Sequence, residues 1–247
     1  MTLDGLAADW TRLGAADPLW AVCVARGTRG GRWDVEEFFA TGRREVDAAL
    51  AQAAELGLRP PSGRALDFGC GVGRLSAALA RHAEEVFGVD IAPSMLAEAR
   101  RLDRSGGRCR FVLNTGPDLA FLPDRSVGLV YSSLVLQHLP PGYARRYLAE
   151  FARVLAPGGA AIFQVVTGRT RTVKGLASAL LPWPAQSWVQ RRLLGYPAGM
   201  RMRAISARDV EAAFAGTGVR VAGVVDDPSY GGHWRCARFF AGRPAGG

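Results

Sequence analysis

Arg64-Ala-Leu-Asp-Phe-Gly-Cys-Gly-Val-Gly-Arg-Leu75 decides the reading of this chain. Arg64 to Phe68 is a short, mostly apolar run, as in a strand buried on both faces. Asp67-x-Gly69-x-Gly71-x-Gly73 then sets three glycines where the strand must turn into a helix. Glycine allows left-handed main-chain conformations and brings the backbone against a ligand with no Cβ between. A helix from Val72 to Arg81 follows, with Leu75, Ala78 and Leu79 on one face. In a dinucleotide site the free N–H groups at the start of such a helix meet a pyrophosphate; a tight strand–helix turn with no ligand is the competing reading.

The same alternation continues outward. Glu85 to Val89 reads as a second strand and Pro93 to Leu102 as a helix, with proline at the favoured first position. Arg110 to Leu113, Val127 to Tyr131 and Ala160 to Val166 read as further strands. The helix between the last two, Tyr143 to Leu155, is stopped by Pro157-Gly-Gly159. Strands separated by helices imply a parallel sheet covered on both faces by right-handed crossovers. Ser206 caps a helix through Val210 and Phe214, and two closing strands, Val219 to Val225 and His233 to Phe240, form an antiparallel pair. Asp90 ends the second strand, roughly 20 residues beyond Asp67, where a carboxylate can accept two ribose hydroxyls. A helix-cap role before Pro93 is the competing reading.

Taken together, these motifs resemble the class I S-adenosylmethionine-dependent methyltransferases. The likeness rests on Leu66 to Leu75, on Val86-Phe-Gly-Val-Asp-Ile91 with Pro93-Ser-Met-Leu96, and on Leu155-Ala-Pro-Gly-Gly159, and covers roughly residues 62 to 166. It implies a Rossmann-like α/β fold: a seven-stranded, mostly parallel sheet with helices on both faces and a C-terminal antiparallel strand pair. It implies S-adenosyl-L-methionine as cofactor. Gly69 and Gly71 would flank its methionine portion, with Cys70 between them also in the cofactor site; Asp67 would lie near its amino group, Asp90 would hold the ribose, and Ile91 would lie against the adenine. Where the family usually has an adenine-binding Asp after the third strand, this chain has Asn114 or Thr115, in Leu113-Asn-Thr-Gly-Pro117; either can hydrogen-bond the base without charge, and a polar turn before Pro117 is the competing reading. After the fourth strand Ser132 is a candidate contact at the sulfonium end. Many members carry an acidic residue where this chain has Gly128.

Methyl transfer needs donor and nucleophile brought together in a water-poor site, and a base where the acceptor must lose a proton. His138, just past the fourth strand, is the candidate base; a structural histidine holding the loop before Pro140-Pro141 is the alternative. His233 is a second, weaker candidate. The chain reads as one domain: residues 1–61 an N-terminal helical lid segment, 62–166 the cofactor core, 167–205 an insertion and acceptor cap packed over the sheet edge, 206–247 the final helix and strand pair. Up to Arg32 the N-terminal stretch shows weak patterning. Asp34 and Glu37 mark the cap of a helix running to Leu56, with a break at Gly42 open. Trp33 and Phe38 are candidate lid aromatics.

Composition narrows the rest. No apolar run reaches the roughly 20 residues that span a bilayer, and the acidic N-terminus carries no basic leader pattern. The expectation is a cytoplasmic protein with no membrane partner. Four scattered cysteines and three scattered histidines suggest neither disulfides nor a metal site. The formal charge of +9 is almost all arginine and is spread along the chain, apart from a denser run between Arg169 and Arg203. No basic and aromatic stripe marks a nucleic-acid surface, so the expected partner is a small-molecule methyl acceptor. Two alternatives share the glycine turn: a nicotinamide-dependent oxidoreductase, whose loop has a different spacing, and a non-catalytic S-adenosylmethionine-binding protein.

Overall fold

The computed structural model describes residues 2–170, 172, 181–227 and 234–246. Among them a seven-stranded sheet runs in the order β3-β2-β1-β4-β5-β7-β6. These strands are β1 (Arg64–Phe68), β2 (Glu85–Asp90), β3 (Cys109–Leu113), β4 (Val127–Ser132), β5 (Leu155–Arg169), β6 (Arg220–Asp226) and β7 (Trp234–Gly242). The first five are parallel; β7 inserts antiparallel between β5 and β6. The chain order reverses beside β1, so the crevice at the carboxyl ends of β1 and β4 is the topological switch point where ligands bind in such sheets.

Two apolar layers hold the sheet. On one face Leu66, Val130 and Phe163 pack with α6 (Pro141–Val154) and with α8 (Ala207–Phe214), which Ser206 and Asp209 close with a capping box. On the other, Ala65, Tyr131 and Ile162 pack with α3 (Val35–Glu55) and α4 (Arg74–Leu79). Asp34 caps α3 by accepting the Glu37 N–H at 2.8 Å. The helix is unbroken at Gly42, where a Cβ would lie 2.6 Å from the Arg74 carbonyl oxygen, so the glycine lets α3 approach α4 closely.

Three regions depart from expectation. The weakly patterned N-terminus is α1 (Leu3–Ala16) followed by α2 (Pro18–Val22). Leu3, Leu6, Trp10 and Leu13 recur at helical spacing on its inner side, and Thr2 accepts the Gly5 N–H as a cap. Second, α6 passes into β5 at Leu155 with no intervening loop, and Pro157-Gly-Gly159 lies within that strand, where Gly158 takes a φ of 74°. Third, the described part of the insertion, with α7 (Trp183–Arg192), does not cover a sheet edge. It leans on α2, the loop after it and the turn after β4: Arg29 donates to the Leu194 and Gly195 carbonyls, Tyr196 meets Trp20 edge-on at 4.8 Å, and the Arg203 N–H donates to Gln137 O at 2.8 Å. The remaining helix, α5 (Pro93–Arg101), packs against α1; the Ser94 hydroxyl donates to Thr11 O at 2.8 Å.

Candidate active site

The turn after β1 is shaped by glycines that no other residue could replace without strain. Gly69, Gly71 and Gly73 have φ of 78°, 53° and 80°. A Cβ on Gly69 would lie 2.2 Å from Val135, and one on Gly71 2.5 Å from Val22. Bare main chain at Gly69 and Gly71 therefore forms the floor of a cavity under α1 and α2. Its other walls include Leu3, Leu6, Trp10, Asp90, Ile91, Asn114, Ser133, His138 and Tyr147.

Asp90 turns its carboxylate into this crevice. Its Oδ2 accepts the Gly71 N–H and its Oδ1 the Ala92 N–H, both at 2.9 Å. Burial raises its pKa, and these backbone donors oppose the rise. A carboxylate offers about four acceptor sites, so roughly two remain.

His138 closes the far side. It sits in a one-turn 3-10 helix, Leu136–His138, buried and edge-on to Trp10 at 5.0 Å. Its Nδ1 lies 2.8 Å from the Arg201 carbonyl oxygen, which accepts only, so Nδ1 carries the proton and Nε2 the lone pair. Desolvation, with nearby Arg203, lowers its pKa to about 4; the bond to Arg201 partly offsets this. The ring is neutral at physiological pH.

Several residues singled out from sequence do not reach the cavity. Asp67 lies beneath the glycine turn, 1% exposed; Ser76 Oγ donates to its Oδ2 at 2.6 Å, while Oδ1 has no partner. Desolvation, countered in part by Ser76 and Arg74, raises its pKa to about 7. Cys70 is buried behind the turn, and burial raises its thiol pKa. Ser132 ends β4 and donates to Phe68 O at 3.0 Å; Ser133, the first residue past the strand, lines the cavity instead. Thr115 is exposed, whereas Asn114 reaches the cavity. The Asn114 amide donates to Asp118 O at 2.7 Å and Tyr147 Oη at 3.3 Å, and its Oδ1 accepts the Gly116 N–H, so it mainly shapes its own loop. Trp33 donates to Cys23 O and Phe38 is fully buried; the lid aromatic is Trp10. His233 lies outside the described residues.

Gly128 is explained by packing. A Cβ there would lie 2.6 Å from the Pro61 carbonyl oxygen, and the residue sits at the amino end of β4, away from the crevice. Sequence reasoning also missed Leu134, which takes a φ of 64° and whose N–H donates to the buried Gln164 Oε1 at 3.1 Å. A non-glycine residue held in that conformation beside a cavity stores strain at the site.

The cavity measures about 90 Å³, below the roughly 300–1,000 Å³ usual for ligand pockets. Val22, Val135 and the α1 side chains hold it narrow, so a nucleoside-sized ligand requires them to move outward.

Comparisons with known proteins agree with this arrangement. A family model described as a methyltransferase domain matches residues 65–159. A ubiquinone biosynthesis O-methyltransferase from Azorhizobium caulinodans is 31% identical over 201 residues, covering 76% of this chain and 74% of its own. A 2-methyl-6-phytyl-1,4-hydroquinone methyltransferase from Synechocystis is 30% identical over 151 residues, 61% of this chain and 46% of its own. The chain thus spans about half the length of some curated relatives it matches. In fold it is similar to magnesium protoporphyrin IX methyltransferase from Synechocystis PCC 6803 with bound SAH, with a TM-score of 0.63, 21% identity, and 97% of this chain and 99% of that chain covered.

Proposed function

The chain belongs to the class I S-adenosylmethionine-dependent methyltransferase family, and from that premise we propose that it transfers a methyl group from S-adenosylmethionine to a small-molecule acceptor in the cytoplasm. One observation carries the reading: Gly69, Gly71, Asp90 and His138 line a single cavity at the switch point.

The residues present suit the cofactor. Glycine main chain without Cβ atoms, a carboxylate with unused lone pairs and the apolar Ile91 match a backbone-hugging chain, a ribose and a base. Gly69 and Gly71 would hold the methionine portion, Asp90 the ribose and Ile91 the adenine; Asn114 offers its Oδ1 to the adenine amino group. Asp67 and Cys70 support the glycine turn from behind, and Ser132 holds β4 to β1. When bound, the cofactor supplies a methyl group on a cationic sulfur, which an acceptor lone pair displaces in line.

This chain's own contribution is position and dryness. Leu3, Leu6, Trp10 and Val22 exclude water over the crevice. His138 presents its neutral Nε2 to the acceptor's proton, in a tautomer fixed by Arg201. Burial disfavours the imidazolium, so His138 orients the nucleophile by accepting its hydrogen bond and holds the proton only as it departs. Of the described residues after β5, Arg201 and Arg203 reach this side of the cavity through His138, where they would cap the acceptor.

The test is calorimetry of the full chain with S-adenosylmethionine and with NAD, followed by labelled-methyl turnover with pooled cell metabolites. Binding of the sulfonium nucleoside with label transferred to a small molecule is expected. Tight NAD binding alone would return the oxidoreductase reading. A tight cofactor complex inert toward every pool would return the non-catalytic one.

A further inference from the structure

The insertion carries a surface that the site does not use. From 167 to 205 the sequence holds seven basic residues and no acidic one, against a net charge of +9 for the whole chain. Within it, α7 buries no residue. Its inner side is held by polar contacts, Gln190 Oε1 accepting the Met200 N–H at 2.8 Å and Arg201 lying over the Trp183 ring at 5.4 Å. On the outer side Pro184, Trp188 and Arg192 stand one helical turn apart, with Leu181 just before the helix and Leu193 and Leu194 directly after it. Trp188 is 57% exposed, Leu193 67% and Leu194 50%. Exposed together at the carboxyl end of this helix, a tryptophan, two leucines and two arginines have the composition of a segment that lies in a membrane interface.

We propose that α7 and the leucines after it dock this protein on an anionic lipid surface, with Trp188, Leu193 and Leu194 entering the headgroup boundary and Arg191 and Arg192 pairing with lipid phosphates. Charge decides the occupant: α7 and the leucines after it carry Arg191 and Arg192, both exposed, and no carboxylate, which is complementary to a negatively charged leaflet. The three exposed apolar side chains decide against a merely polyanionic partner, which would be met by arginine and aromatic stacking and would leave two adjacent leucines in water. The surface lies on the bilayer and does not cross it; among the described residues no helix is long and apolar enough to span one. The same segment reaches the cavity, since Arg201 O accepts from His138 Nδ1 and Arg203 donates to the His138 carbonyl at 2.7 Å. Docking therefore places the covered side of the crevice next to lipid.

Co-sedimentation of the full chain with vesicles of phosphatidylcholine alone, and with added phosphatidylglycerol, tests this without reference to activity. Binding to the anionic vesicles is expected, falling steeply with salt. L193S/L194S should weaken it about tenfold. R191Q/R192Q should weaken it about fivefold per charge at low salt. Both pairs are exposed, so thermal melts of the variants should match the parent. Failure to bind anionic vesicles at low salt overturns the proposal. So does full binding by L193S/L194S with competition by heparin, which assigns the surface to polyanions. Concentration-dependent dimers abolished by L193S/L194S, without vesicle binding, would assign it to a second copy and equally overturn it.

Discussion

Replacing Asp67 by asparagine should stabilise this protein at pH 8 and destabilise it at pH 4. Asp67 is fully desolvated, donates nothing when ionised, and receives one hydrogen bond, from Ser76. Its pKa is raised from 3.8 to about 7. In the unfolded chain the carboxyl ionises near 3.9, whereas the folded protein keeps its proton until about pH 7. Between those values the folded state binds more protons, so stability falls as pH rises, and the full cost is present above pH 7. About three pKa units correspond to ~4 kcal/mol. Asparagine keeps the acceptor for Ser76 and removes the charge, but sets an N–H donor where Oδ1 had no partner, at ~1–3 kcal/mol. The net expectation is a gain of ~1–3 kcal/mol at pH 8 and a loss of similar size near pH 4, with a crossover between about pH 5 and 6. Urea unfolding of both proteins without cofactor, in steps from pH 4 to 8.5, measures it. A difference between the two that does not vary with pH would refute the buried, high-pKa carboxylate.

Other substitutions probe the crevice directly. Asp90→Asn leaves one acceptor oxygen where Asp90 now serves Gly71 and Ala92; loss of a charge-assisted bond worth ~1.5–3 kcal/mol should weaken S-adenosylmethionine at least tenfold by calorimetry. Gly69→Ala meets both a φ of 78° and a 2.2 Å approach to Val135; the expected destabilisation is ~2 kcal/mol or more in urea unfolding, with cofactor binding lost. His138 has a folded pKa depressed from 6.5 to about 4, so its stabilising contribution is complete above pH 6.5 and is lost as pH falls toward 4. That amounts to ~3 kcal/mol, which His138→Gln should remove from the pH dependence of unfolding. In the parent enzyme kcat/KM should show no inflection near pH 6.5, and one there would contradict a neutral His138.

How much of this could be read beforehand depended on how local each signal was. Strands β1 to β4 and the glycine turn were legible almost to the residue, because each is bounded by its own punctuation of glycine, proline and apolar alternation. Helix α1 was not, although Leu3, Leu6, Trp10 and Leu13 have the right spacing. Gly5 and Gly14 weaken its propensity, and Gly14 is there for packing, since a Cβ would lie 2.6 Å from Ser94 Oγ. Ser132 is the last residue of β4 and Ser133 the first beyond it, so choosing between them required knowing where the strand ends and the cavity begins. Tyr147, a helical residue far along the chain, joins the cavity through Asn114 and Gly116 with no local mark of its own.

Order along the chain was enough to establish the alternating strands, the bend where main chain lies bare, the acid at the end of β2 and hence the family. Those features are carried by neighbours within one turn or one strand. Only the tertiary structure decided that Asp67 is sealed beneath the turn, that Gly128 makes room for Pro61, that His138 is kept neutral by burial and in one tautomer by the Arg201 carbonyl, and that α1 roofs the crevice. Each depends on distant segments meeting at van der Waals distance. No pattern within a single segment encodes which partner arrives there or how much water it displaces.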